Sequence, residues 1–322
     1  MNYSCFEKFF EVSIPYDADC VHALGKVMGK VFDRKGRIYT FPSTQIFDVI
    51  EKVKPYFPEI AKKLERSRRY AEDREQALDD EKFVSLSRAK RVRFDPEVPE
   101  GCEYLPYQKA GIYYSIRNGR DNVLIADVPG LGKTIQAIGI MNYIKARTAL
   151  IIAPNSAKIN WQREIQRWST TGRMVGVVYS PDGEQTIKKY PYLIINYDIL
   201  KKFYPLLMKK KWDIVVCDEA HMIKNTKSQR TKYADDLCEI AGYRALLTGT
   251  PIVNRPFELW SLLQILNIGI WNNWHDFIFT FCGAYKIPGG SLDYKGTSNQ
   301  KEFQRLLRKT VMVRRLKEDV LT

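Results

Sequence analysis

The chain has 322 residues, enough for two or three domains with cores of their own. Its 51 basic residues outnumber 37 acidic ones, and the formal net charge of +14 points to a polyanionic partner without choosing among DNA, RNA and an anionic surface. No apolar run is long enough to span a membrane, the first residues lack a secretory signal, and no two of the six cysteines stand as C-x-x-C. A membrane partner, a disulfide scaffold and a zinc site are therefore disfavoured, and a soluble intracellular protein is expected.

Residues 1–98 read as a small α+β accessory module with a linker. Phe6–Ile14 has a strand pattern, and Asp17–Met28 a helical one with Asp17 as its cap. Val31–Phe41 reads as a hairpin turning at Lys35-Gly36. Thr44–Lys54 and Glu59–Ala77 look helical, the second carrying Arg66, Arg68 and Arg69 on a solvated basic face. The charged stretch Asp73–Glu81, the basic Ser85–Arg93 and two prolines in Asp95–Gly101 place the boundary near Phe94–Cys102.

Residues 99–322 change character. Apolar runs of strand length recur at Val123–Ala126, Ala149–Ala153, Met174–Tyr179, Tyr192–Asn196, Ile214–Cys217 and Ala245–Leu247, with helical stretches between them. Short, nearly continuous apolar strands imply a parallel sheet covered on both faces, a doubly wound α/β fold with ligands at the carboxyl ends of its strands. Cys217 reads as a small core residue. Beyond Pro251 no further strand is evident; Phe257–Leu266, Trp274–Phe281 and Lys301–Thr310 read as helices, and Trp260, Trp271 and Trp274 as packing.

The first run leads into Asp127-Val128-Pro129-Gly130-Leu131-Gly132-Lys133-Thr134 and then a helical pattern. Strand, glycine loop and helix together form the context of a phosphate-binding loop. Gly130 and Gly132 admit an anion to the backbone, and the helix N–H groups and dipole favour its charge. Lys133 is placed to reach the β- and γ-phosphates of ATP, and the Thr134 hydroxyl to bind Mg²⁺. Asp127 stands where the strict pattern has glycine, and Pro129 contributes no N–H. A second carboxylate site, Asp218-Glu219-Ala220-His221, follows the Ile214–Cys217 run. Downstream of a phosphate loop such a pair suits metal binding by Asp218 and general-base work on water by Glu219.

Lys133-Thr134, Asp218-Glu219-Ala220-His221 and Leu247-Thr248-Gly249-Thr250-Pro251 together resemble motifs I, II and III of superfamily-two helicases. Leu105-Pro106-Tyr107-Gln108, Ala153-Pro154 with Trp161 and Glu164, Asn196-Tyr197-Asp198, Ile223-Lys224-Asn225 and Glu258–Leu263 narrow the resemblance to Swi/Snf-type DNA translocases. Asp293–Asn299 and Met312–Leu321 look like the HARP-bearing annealing-helicase branch, and Phe32-Asp33 with Arg37–Pro42 is faintly similar to the HARP module. The resemblance implies a RecA-like P-loop NTPase lobe from Tyr104 onward. It implies that Gln108 reads adenine, that Pro129, Gly130, Leu131, Gly132, Lys133 and Thr134 cradle ATP, and that His221 and Thr248 couple hydrolysis to movement. DNA, duplex or forked and of any sequence, would meet Pro154, Asn155, Ser156, Asn196, Tyr197, Lys224 and Asn225, groups suited to phosphate contacts.

The family's second lobe, which carries its arginine fingers, would begin just past Leu321. The expectation is thus a lobe that binds ATP weakly and hydrolyses it slowly until a second lobe joins it, in cis or from a partner chain. A bacterial or phage-infected cytoplasm is the favoured setting, or the nucleus of a eukaryote. A nucleotide- and DNA-binding module without catalysis is the alternative. An RNA helicase is a third reading, against which Glu258–Leu263 and Arg314–Lys317 stand by resemblance.

Overall fold

A computed structural model describes residues 9–27, 30–33, 38–42, 45–65, 81–117, 120–249, 255–266, 273–287 and 291–320. By contact the chain divides into two compact units, Met1–Lys82 and Phe83–Thr322. In the smaller unit, strands β1 (Phe9–Ser13), β2 (Val31–Asp33) and β3 (Ile38–Pro42) form an antiparallel sheet in the order β1-β3-β2. The helices are Ala18–Leu24, Ile46–Val53 and Pro58–Glu65. Asp17 caps the first as its sequence position suggests, its Oδ1 accepting from Cys20 N at 2.8 Å. Cys20, Leu24, Phe41, Val49 and Val53 close a separate small core. The expected turn at Lys35-Gly36 and the Arg66, Arg68 and Arg69 face lie outside the described residues.

The larger unit is built on a seven-stranded parallel sheet. Its strands are β4 (Asn122–Ile125), β5 (Ala149–Ala153), β6 (Val175–Val177), β7 (Tyr192–Asn196), β8 (Ile214–Cys217), β9 (Arg244–Leu247) and β12 (Met312–Val313). Their order is β12-β4-β9-β8-β5-β7-β6. Every residue of β5, β7 and β8 is buried, because helices cover both faces of the sheet. That double burial is why these strands read as unbroken apolar runs rather than alternating ones. Trp260 packs edge-on against Trp274 at 5.1 Å, as expected of a packing group, while Trp271 lies outside the described residues.

The region beyond Pro251 does contain strands, contrary to the sequence reading. β10 (Tyr285–Lys286) and β11 (Leu292–Asp293) form a small hairpin, and β12 adds a parallel edge to β4. Each is two residues long, too short for a side-chain period to register. β12 nevertheless matters most for the site, since Leu124 N donates to Val311 O at 2.9 Å and Ala126 N to Val313 O at 2.7 Å. The segment that follows β12 is thereby laid along the start of the glycine loop.

Residues 83–98, placed by sequence with the small module's linker, pack into the larger unit. Phe83 is buried edge-on against Tyr114, with the Arg120 guanidinium 4.1 Å from its ring centroid. Leu86 joins the same core, and Ser87 Oγ accepts from Arg308 Nη1 at 3.1 Å. Phe83→Ala should therefore lower the stability of the larger unit by about 3–5 kcal/mol in urea unfolding. A loss under about 0.5 kcal/mol, typical of surface positions, would make this stretch a mere linker.

Candidate nucleotide site

The parallel sheet aligns the carboxyl ends of its strands along one rim. β4 ends in the glycine loop, neighbouring β9 in Thr248, and β8 in Asp218 and Glu219. β5 and β7, next along, end in Pro154–Ser156 and in Tyr197. Two sequence-predicted groups thus occupy adjacent stretches of a single edge, the nucleotide residues on one part and the DNA candidates on the other.

The loop turns through two left-handed glycines, Gly130 at φ +91° and Gly132 at φ +70°. A side chain at Gly132 would also strike the Gln108 amide. Lys133 opens the following helix, Lys133–Tyr143, and its Nζ donates to Asp127 O at 3.0 Å. Burial pulls the Lys133 ammonium below its ordinary pKa, while the carboxylates of Glu219, Asp127 and Asp218, in that order of influence, push it back up. A phosphate in contact with the Lys133 ammonium would add a further negative charge that offsets this desolvation.

Asp127, the departure from the strict loop pattern, is fully buried against a fully buried Arg315. Asp127 Oδ2 accepts from Arg315 Nη2 at 2.6 Å, and Oδ1 accepts from Arg315 Nε at 3.1 Å and from its backbone N at 2.8 Å. Gln136 Nε2 donates to Asp127 Oδ2 at 3.0 Å and its Oε1 accepts from Arg315 Nη2 at 2.7 Å. Arg315 Nη1 donates to Tyr107 O. One arginine therefore ties together the loop, the helix behind it and the helix Pro106–Ile116 that carries Gln108. Gly111 of that helix leaves room for the junction, since a Cβ there would meet Gln136 Oε1 and Arg315 Nη2. Sequence reasoning did not assign Arg315 or Gln136 this part. The available signal was Gln136, a polar residue amid the apolar positions of its helix.

At the end of β8, Asp218 Oδ2 accepts from Trp161 Nε1 at 2.8 Å, and Oδ1 from Glu219 N at 2.9 Å. Burial raises the Asp218 pKa above the ordinary carboxylate value. The two hydrogen bonds oppose that rise, the Glu219 charge adds to it, and Lys133 offsets it in small part. Glu219 sits at φ 48°, ψ 51°, a left-handed conformation that costs a non-glycine residue about 1–2 kcal/mol. Such strain concentrates at functional sites. Its Oε2 lies 3.2 Å from His221 Nδ1. Thr248 is buried, its N donating to Ile125 O at 3.0 Å. Thr250 and Pro251 lie outside the described residues.

A hydroxyl at Thr134 and a carboxylate at Asp218 are oxygen donors that suit Mg²⁺, which keeps several waters and takes other ligands from phosphates. Gln108 is buried, with Oε1 accepting from Leu105 N at 3.0 Å, which leaves its amide nitrogen beside Gly132. Among the DNA candidates, Asn155 and Ser156 are exposed and Pro154 is half-buried. Lys224 and Asn225 are also exposed, Lys224 Nζ donating to Glu258 Oε2 at 3.0 Å. Asn196 and Tyr197 instead face inward, which corrects the side-chain contacts expected of them. Asn196 Oδ1 accepts from the buried Lys158 Nζ at 3.2 Å, and Tyr197 Oη donates to Asp218 O at 2.8 Å.

Residues 107–322 match the family model for the SNF2-related domain. The chain belongs to this family. A bovine SWI/SNF-related matrix-associated actin-dependent regulator of chromatin subfamily A-like protein 1 is 30% identical over 97% of the chain and 33% of that protein. Human DNA annealing helicase and endonuclease ZRANB3 is 33% identical over 69% of the chain and 21% of its own length. The chain thus spans at most a third of these relatives. The Sulfolobus solfataricus SWI2/SNF2 ATPase core in complex with dsDNA aligns with a TM-score of 0.59 at 24% identity, over 73% of this chain and 48% of that one, and shares the RecA-like fold. Residues 107–322 thus fall in the SNF2-related family, on a RecA-like fold. Both curated relatives are eukaryotic proteins, so they lend no support to a bacterial or phage setting. No helix among the described residues is long and apolar enough to cross a membrane.

Removing one partner of a buried ion pair strands the other charge. Arg315→Ala should cost about 3–5 kcal/mol of stability in denaturant unfolding. Arg315→Lys should recover little of it, because an ammonium cannot reproduce the planar fork of donors.

Proposed function

We propose that the SNF2-related unit is the ATP-binding lobe of a DNA translocase that tracks duplex or branched DNA without reading sequence. The convergence of Lys133, Asp218 and Glu219 on one sheet rim carries this reading, because a phosphate cation, a metal-binding carboxylate and a base are needed together. Gln108 reads the adenine edge, and the backbone from Pro129 to Thr134 cradles the phosphates. Thr134 and Asp218 hold Mg²⁺, whose charge offsets that of the transferring phosphoryl group. Trp161 and the Glu219 N–H keep Asp218 oriented for that task, and Tyr197 holds its carbonyl. The Glu219 carboxylate orients the attacking water and takes its proton. His221, in contact with Glu219, and Thr248 transmit the state of the site to the neighbouring strand ends.

DNA phosphates meet Pro154, Asn155, Ser156, Lys224 and Asn225 along the adjacent rim, supported from behind by Asn196, Tyr197 and Lys158. The positive net charge of the chain favours such a partner. Efficient turnover requires arginines from a second lobe, which supply roughly 10³–10⁵ in rate in phosphoryl-transfer enzymes. The SWI2/SNF2 core that shares this fold extends well beyond the aligned portion, which fits that division of labour.

Lys133→Ala should abolish ATP binding in a calorimetric titration. Glu219→Gln should retain ATP binding yet lose DNA-stimulated phosphate release in a form of the protein that has both lobes; normal turnover by it would remove Glu219 from the role of base. DNA affinity should fall steeply and log-linearly as salt rises, equally for unrelated duplex sequences.

A further inference from the structure

The segment after Arg315 has a use that the site as described leaves out. Val128 N donates to Arg315 O at 3.3 Å, so the backbone leaving the Asp127–Arg315 pair runs beside the loop. Two residues on, the Lys317 side chain reaches the loop itself. Its Cε and Nζ lie 3.3 and 3.4 Å from where a Cβ on Gly130 would stand. Lys317 is exposed, and among the described residues no carboxylate pairs with it. Asp319, two residues further on, is engaged in accepting from Leu316 N at 3.1 Å. An unpaired ammonium is thus held against the glycine that a phosphate group must approach most closely. The same loop has lost a donor, since Pro129 carries no N–H.

We propose that Lys317 is a second phosphate-binding lysine of this site, contacting the triphosphate in addition to Lys133 and supplying a donor where Pro129 offers none. The proposal rests on the reading of the loop as an ATP site. Arg315 serves it as a positioning residue, fixing the segment so that the flexible lysine stem has a short reach. A charge-assisted contact of this kind is worth about tenfold in affinity.

The test is calorimetric titration of the full chain with Mg·ATP, comparing wild type, Lys317→Gln, Lys317→Arg and Lys133→Ala, with thermal unfolding of each protein without nucleotide. The expected result is about a tenfold loss for Lys317→Gln, substantial recovery in Lys317→Arg, and unchanged unfolding temperatures for both. Lys317→Gln binding within twofold of wild type, while Lys133→Ala fails to bind, overturns the role of Lys317 and leaves the ATP site standing. A lowered unfolding temperature with no recovery by arginine assigns Lys317 a structural role and also overturns it. Absence of ATP binding by wild type removes the site reading and this proposal together.

Discussion

A single buried ion pair, Asp127 with Arg315, determines how the larger unit presents its glycine loop. Both side chains are fully buried, a situation tolerable only when nearly every donor and acceptor is used. Asp127 meets that condition with the Arg315 side chain and backbone N–H and with the Gln136 amide. The anchored start of the loop leaves its glycine portion free to turn outward. The pair also makes the segment after β12 part of the site, although almost 190 residues of chain separate the two partners.

Charge around the rim is balanced by burial rather than by simple pairing. Burial destabilises the ammonium of Lys133, which Glu219, Asp127 and Asp218 rescue in part, and the carboxylate of Asp218, which its hydrogen bonds and Lys133 rescue in part while the Glu219 charge works against it. A site poised in this way has unspent electrostatic capacity on both signs, one suited to phosphates and the other to a divalent cation. The strained backbone at Glu219 adds to the picture. It turns the residue after Asp218 out of line with the strand, so that consecutive carboxylates need not serve the same ligand.

The parallel sheet was legible because β5, β7 and β8 are buried on both faces and therefore read as continuous apolar runs. The glycine loop and the acid pair were legible because the chemistry confines residue type and spacing. What escaped was of longer range or shorter extent. β12 has only Met312 and Val313, and no period is visible in two residues. Asp127 looked like a defect in the loop, because its partner Arg315 lies far along the chain and nothing local announces it. Asn196 and Tyr197 looked like surface polar groups at strand ends. Their inward orientation depends on Lys158 and Asp218, which only the folded sheet brings beside them. Residues 83–98 looked like linker because their charge conceals Phe83 and Leu86, two apolar residues that fill the larger unit's core.

The most direct measurement is the dependence of ATP affinity on Mg²⁺. Titrating the chain with ATP in the presence of Mg²⁺ should give saturable binding at one site. Chelating the metal should weaken it markedly, since Thr134 and Asp218 would then face the phosphates without the cation between them. Saturable binding that is indifferent to Mg²⁺, or no binding at all, would contradict the assignment of the Lys133–Asp218–Glu219 rim as an Mg·ATP site.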